Sequence, residues 1–221
     1  VLAGTRRFGP LTITYDAGVL EPRPWTLLQS EWAVQLSARA AAGPLLELCA
    51  GAGQIGLVAA LGTGRPLVQV ERDEVAAGCA RANAAAAGIE QRVEVRATAM
   101  EEAMGAHERF PIILADPPYL RREDIGRFPD DPVTAIDGGP DGLAVTRLCL
   151  MLGARHLTPG GALLLQVAGR RQAEALDAEE LGDLGLALAE VREHDPDRAV
   201  ALLHSAGHAP RRSVPTGGSR R

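Results

Sequence analysis

Glu47-Leu-Cys-Ala-Gly51-Ala-Gly53-Gln-Ile-Gly56 is the stretch on which the fold turns. It joins a short apolar run over residues 45–49 to a helical segment over 54–61. Gly51, Gly53 and Gly56 stand in G-x-G-x-x-G spacing. Glycines there allow a tight turn and let a ligand approach backbone amides at a helix N-terminus. Glu71 follows Gly51 by 20 positions and ends a second apolar run, 67–70. A carboxylate so placed accepts hydrogen bonds from ribose hydroxyls. The pair of features fits an adenosyl ligand, either a nicotinamide dinucleotide or S-adenosylmethionine. The bland reading, a glycine turn that only packs helix on strand, leaves the distant acid without a purpose.

Outward from this loop, apolar runs alternate with helical periods. Strands are expected over 45–49, 67–70, 92–96, 111–115 and 162–167, and helices over about 26–42, 54–61, 73–87, 142–156 and 171–181. Asp73 caps its helix and Gly88 stops it. Strands separated by helices imply right-handed crossovers and a parallel sheet covered on both faces. The last two strands, 186–192 and 199–203, have only the turn His194-Asp-Pro-Asp197 between them and must pair antiparallel. The expected fold is α/β: a doubly wound, mostly parallel seven-stranded sheet with an antiparallel C-terminal hairpin. Ahead of it, Leu11-Thr-Ile-Thr-Tyr15 alternates in period two and meets the turn signal Asp16-Ala-Gly18 before Val19-Leu20. This reads as a short hairpin, ended by Pro22 and Pro24. The expected organisation is a hairpin and linker over 1–25, a cofactor domain over 26–208 and a basic, disordered tail over 209–221.

The chain has 221 residues, enough for one domain with a sizeable core, and is 46 % hydrophobic. No uncharged apolar stretch reaches the 18 residues that cross a membrane, and Arg6-Arg7 lead into Phe8-Gly9-Pro10 rather than an apolar signal sequence. A cytoplasmic location without membrane contact follows as an expectation. The three cysteines are widely spaced and lack Cys/His ligand spacing, so no disulfide framework and no metal site is expected. The net charge of −5 speaks against a large nucleic-acid footprint. Every basic residue except histidine is arginine.

Two features choose between the adenosyl ligands. Glu47 lies four positions ahead of Gly51. It would repel a pyrophosphate but can orient the loop and engage the ammonium of a methionine moiety. Asp116-Pro-Pro-Tyr119 then follows the fourth strand at its carboxyl end, where ligands bind in open α/β sheets. Pro117 and Pro118 stiffen the turn and remove two amide donors, which leaves the Asp116 carboxylate and backbone carbonyls as acceptors. Acceptors hold an NH2 group with its lone pair toward a methyl sulfonium, and Tyr119 can stack on a flat acceptor. The 117–142 connection, long and rich in Pro and Gly, is read as functional.

These residues resemble the Asn/Asp-Pro-Pro-Tyr amino methyltransferases, which are class I S-adenosylmethionine enzymes with a Rossmann-like sheet. Among them the sequence is similar to the release-factor glutamine methyltransferase (HemK) family. The similarity runs over about 190 residues and includes Val19-Leu-Glu-Pro22-Arg23-Pro24-Trp-Thr26, the motifs quoted above, and Phe128-Pro-Asp-Asp-Pro132 through Asp137-Gly-Gly-Pro-Asp-Gly-Leu143. It implies that Glu47, Cys49, Ala50, Gly51, Gly53, Gln54, Ile55, Glu71, Arg72, Ala99, Met100 and Asp116 line the S-adenosylmethionine site. It implies that Asp116, Pro117, Pro118 and Tyr119 are catalytic, and that Arg23, Pro24, Trp25, Thr26 and Tyr119 meet the substrate. The departures are Asp116 where the family has Asn, Ala99 where an acid is usual near the adenine, and Leu27 where an acid often follows the Pro-Arg-Pro segment. The family's helical front domain is expected to be missing, because the chain starts almost at the hairpin. The implied acceptor is a protein glutamine or another amide. A nucleobase amino group or a small amine is the alternative that Asp116 favours. An NAD(P)-dependent oxidoreductase leaves Asp116-Pro-Pro-Tyr119 unexplained, and a non-catalytic cofactor-binding protein would explain Ala99 and Leu27.

Overall fold

The computed structural model describes residues 2–176 and 178–205, with backbone alone at 2, 3 and 179. The tail read over 209–221 lies outside the described residues. Seven strands form one sheet: β3 (Leu45–Leu48), β4 (Leu67–Glu71), β5 (Val93–Ala97), β6 (Phe110–Ala115), β7 (Leu157–Val167), β8 (Leu186–Asp195) and β9 (Arg198–Ser205). Their order is β5-β4-β3-β6-β7-β9-β8. The first five run parallel, while β9 pairs antiparallel with both β7 and β8. The doubly wound sheet and its terminal hairpin are as the sequence implies.

Both faces of the central strands are dry. Leu45, Ile112, Leu114 and Leu164 point to one buried cluster, and Leu46, Leu48, Ile113 and Leu165 to the other. That is why these strands read as unbroken apolar runs rather than alternating ones. On the first face lie α1 (Leu27–Ser37), α2 (Gln54–Thr63) and α3 (Glu74–Ala86), which contribute Trp32, Leu57 and Cys79. On the second lies α5 (Ala144–His156), with Cys149 and Leu150 buried. A short α4 (Val133–Ile136) falls inside the 117–142 connection. Asp73 caps α3 by accepting from the Ala76 amide at 2.9 Å.

The N-terminal hairpin exists but is paired differently from the reading. β1 (Leu2–Phe8) pairs with β2 (Leu11–Asp16) across Gly9-Pro10, so β2 joins the strand before it rather than Val19-Leu20 after it. The reason is packing: Phe8 and Ile13 enter the first core cluster, and Asn83 of α3 clasps β2. The Asn83 amide donates to Thr14 O and to Ala52 O, both at 2.9 Å, while its oxygen accepts from Thr14 N at 2.9 Å. The helix expected over 171–181 is two, α6 (Gly169–Glu174) and α7 (Ala178–Asp183). Strand β7 starts earlier than expected, because the register skips from Phe110↔Leu157 to Ile112↔Ala162 and absorbs Thr158-Pro-Gly-Gly161 as an irregularity.

Candidate active site

Register brings the chemistry to one edge. Leu48 pairs with Val70 on one side and with Ala115 on the other, and Glu71 pairs with Ala97. Cys49, Arg72, Thr98 and Asp116 therefore leave their strands at the same carboxyl end of the sheet. Between β3 and β6 the winding reverses, which opens a crevice there.

The loop after β3 is bent by three left-handed residues, Cys49 (φ 55°), Gly51 (φ 54°) and Gly53 (φ 85°). Cys49 holds this conformation without being glycine, and its thiol is pushed well up by hydrogen bonding with the free Cys149 thiol and by burial. Ala50 N donates to Val70 O at 3.1 Å, and Gly53 N to Ala50 O at 2.8 Å. Gly51 N donates to Glu71 Oε2 at 2.8 Å and Asp73 N to Oε1 at 2.9 Å. Each Glu71 oxygen keeps a lone pair for a further donor such as a ribose hydroxyl. A Cβ at Gly51 would meet nothing within 4 Å, so this bend faces open space. Gln54 starts α2, whereas Ile55 is buried in the core.

Glu47 lies beneath the loop at 2 % exposure. Gln69 Nε2 donates to it at 2.6 Å and to Gly53 O at 3.0 Å. A Cβ on Gly56 would overlap the Glu47 carboxylate, so close packing fixes that glycine. Burial raises the Glu47 carboxyl from 4.5 to about 8. Gln69 was not singled out in the sequence; its only signal is an amide interrupting the apolar run 67–70. Arg72 and Ala99 are exposed, and Met100 packs on the second core cluster, 4.0 Å from Cys149 through its sulfur.

Asp116 extends from the end of β6. Burial raises its carboxyl from 3.8 to about 7, and no described residue donates a hydrogen bond to it. Gln29, buried in α1, donates to Ala115 O at 3.0 Å and to Leu164 O at 2.8 Å, and so pins the residue just before Asp116. Tyr119 is held protonated far above its ordinary range, by burial first and then by the Asp116 charge.

In front of this turn lies a cavity of about 1070 Å³, lined by Arg23, Trp25, Thr26, Asp116, Pro117 and Tyr119 among others. Pro118 is half-buried and Pro24 is exposed; neither is part of the lining. Arg23 Nη2 donates to both oxygens of Asp131, at 2.5 and 2.6 Å, which ties the Pro-Arg-Pro segment to the 117–142 connection. The Thr26 hydroxyl donates to Arg23 O at 2.9 Å. Trp25 carries the Arg198 guanidinium 3.8 Å from its ring centre and that of Arg23 at 5.7 Å. Asp131, Arg198, Arg171 and Gln172 also line the cavity and were not assigned to the site from the sequence, though Asp131 falls in the Phe128–Pro132 segment that the resemblance covers. Asp131 lies in the connection read as functional, while Arg171, Gln172 and Arg198 arrive from the far end of the chain with no local signal.

The chain resembles known proteins in sequence and in shape. A family profile described as conserved hypothetical protein 95 matches residues 32–128. The release factor glutamine methyltransferase of Mycolicibacterium smegmatis is 35 % identical over 186 residues, covering 80 % of this chain and 64 % of that protein. The release factor glutamine methyltransferase of Bordetella pertussis is 34 % identical over 185 residues, covering 80 % of this chain and 66 % of that protein. The chain thus spans less than two thirds of the length of these curated relatives. An RNA methyltransferase from Salinibacter ruber, solved in complex with S-adenosyl-L-homocysteine, superposes with a TM-score of 0.55 at 17 % identity. That likeness covers 87 % of this chain and 97 % of the other, and it concerns the fold. With its glycine bend, Glu71 and the Asp116-Pro-Pro-Tyr119 turn at one end of the sheet, the chain belongs with the release-factor glutamine methyltransferases in sequence and has the class I methyltransferase fold.

Proposed function

We propose that this chain transfers a methyl group from S-adenosylmethionine to a planar amide nitrogen, with a protein glutamine as the acceptor. The observation that carries the reading is the Asp116 carboxyl: half-buried and without a described donor, it stands at the end of β6 in the wall of the cavity. A partly desolvated acceptor without a partner is open to a donor that a ligand brings.

The residues fit the cofactor. The open bend at Gly51 admits a ligand against backbone, Glu71 has acceptor capacity for a ribose, and Met100 is at hand for the adenine. Glu47 and Gln69 shape the bend from beneath. When bound, S-adenosylmethionine supplies an electrophilic methyl on a positively charged sulfur. The chain's own part is orientation and charge. Asp116 and the carbonyls of the proline turn accept the hydrogens of the NH2 group and aim its lone pair. Their partial or full negative charge stabilises the positive charge that grows on nitrogen. Tyr119, kept neutral, offers an aromatic wall.

A nucleobase amino group or a small amine is the second reading, favoured by the negative charge that the Asp116 carboxylate can place beside an amino group. A cytoplasmic location goes with either acceptor; among the described residues no helix is long and apolar enough to cross a membrane.

The test is incubation of the protein with methyl-labelled S-adenosylmethionine and cell extract, alongside a glutamine-bearing peptide. Label in protein glutamine supports the reading; label in RNA or in small molecules alone supports the second. Calorimetry with S-adenosylhomocysteine and with NADH accompanies it. Heat from NADH and none from S-adenosylhomocysteine would end both. Asp116→Ala is expected to abolish transfer, a loss of at least about 100-fold, with S-adenosylhomocysteine affinity within a few fold.

A further inference from the structure

The chain just after the Asp116-Pro-Pro-Tyr119 turn is braced by the 136–143 segment. Gly138 N donates to Leu120 O at 2.8 Å, Leu120 N to Ile136 O at 3.1 Å, and Arg122 N to Gly139 O at 2.9 Å. The two segments touch so closely that a Cβ on Gly142 would lie 2.7 Å from Tyr119 O. Yet the Tyr119 carbonyl takes its hydrogen bond from elsewhere. Gln172, on α6 after β7, donates through Nε2 to Tyr119 O at 3.0 Å. The same nitrogen lies 3.4 Å from Gly142 O, and Oε1 accepts from Ala168 N at 2.7 Å. One half-buried side chain thus joins the end of β7, the tetrapeptide and the glycine segment. Its two ends are specific, one donor and one acceptor, so neither a carboxylate nor an apolar side chain of equal length replaces it.

We propose that Gln172 is a positioning residue that fixes the Pro118–Tyr119 backbone, and through it the acceptor face of the turn and the Tyr119 ring, against the cavity. The inference rests on the reading that this turn holds the methyl acceptor. Displacement by about 1 Å at a reacting centre costs on the order of 100-fold in rate. Gln172 also lines the cavity, but its amide is committed to the Tyr119 carbonyl, and it acts through that backbone rather than on the substrate.

Two variants isolate the claim in the full chain. Gln172→Glu keeps the oxygen that Ala168 N needs and loses the donor to Tyr119. Gln172→Met keeps the length and loses both. Each is measured in two ways. The first needs no acceptor: hydrogen exchange of the Leu120 and Gly138 amides, which is expected to quicken about tenfold or more in both variants, with amides of β3 and β6 unchanged. The second is steady-state kinetics with S-adenosylmethionine and whichever acceptor wild type labels. Here kcat is expected to fall about 10- to 100-fold, while KM for S-adenosylmethionine and calorimetric affinity for S-adenosylhomocysteine stay within threefold. A uniform fall in melting temperature with unchanged kcat in the folded fraction would reduce Gln172 to a packing residue and overturn the proposal, as would unaltered exchange at Leu120. Gln172→Glu behaving as wild type would also overturn it, by giving the role to the Ala168 bond alone. If wild type labels no acceptor, the functional reading fails, and the exchange data still decide whether Gln172 holds the turn.

Discussion

Asp116 shows how one atom's difference from the usual amide changes the physics of a site. Its folded pKa, about 7, stands above the ordinary 3.8 because burial disfavours the charge. The folded state therefore prefers the proton. The stability tied to that preference is complete below about pH 4 and is lost as pH rises through about 7. Glu47 follows the same sign with a folded value of about 8. The Asp116→Asn variant should thus gain over wild type as pH rises from 5 to 8, by roughly 2–4 kcal/mol at the upper end. Thermal melts across that range read the widening gap as several degrees; a constant gap contradicts the buried-acid account. Below about 7 a protonated Asp116 presents a carbonyl oxygen much as an amide does. The log of the initial rate against pH should bend near 7 in wild type, and that bend should vanish in Asp116→Asn. Cys49 and Gln69 belong to this scale too. The first holds a left-handed conformation in the loop and the second is an amide in an apolar strand, and neither fact can be weighed until neighbours are known.

Helices and strands were legible where one segment carries its own reason. The glycine bend, the capped helix at Asp73 and the tetrapeptide are contiguous, and each is decided by local chemistry. The pairing of β2 was not, because Gly9-Pro10 and Asp16-Ala-Gly18 are both turn signals. What decides between them is Phe8 reaching the core and Asn83 holding β2 from α3. Asn83→Ala removes four hydrogen bonds at once and should cost about 2–4 kcal/mol, read by urea unfolding, with earlier proteolysis of the hairpin. Gly56→Ala forces a methyl into the Glu47 carboxylate, with a cost of about 1–3 kcal/mol. It should also weaken S-adenosylhomocysteine binding, because the bend rests on that carboxylate. The helix expected over 171–181 breaks in two, and the break is not visible as glycine or proline within the stretch. Gln172 lies in the first piece, so its bond to a turn 53 positions earlier in the chain was beyond any local pattern.

The molecule as a whole carries net charge −5, yet its cavity is balanced. Arg23, Arg121, Arg127, Arg171 and Arg198 line it together with Asp124, Asp131, Asp141, Asp197 and Asp116, whose carboxyl is pushed up to about 7, so the two signs are nearly even. Such a wall suits a polypeptide better than a polyanion. Acceptor KM should change only a few fold between 50 and 200 mM salt, whereas a nucleic acid held by many phosphates loses about 10³-fold or more. The cavity is also assembled from distant parts of the chain: the Pro-Arg-Pro segment, the connection after β6, α6 and the β8–β9 turn. That is why sequence alone placed its front wall and not its far one. The stacking of Arg198 on Trp25 has a practical side. Of the two tryptophans, Trp32 is sealed at 1 % exposure and Trp25 stands in the cavity wall. An acceptor that slides between Trp25 and its guanidinium alters one indole's fluorescence and leaves the other as a steady reference. The protein thus carries its own optical gauge of occupancy, and Trp25→Phe should silence it.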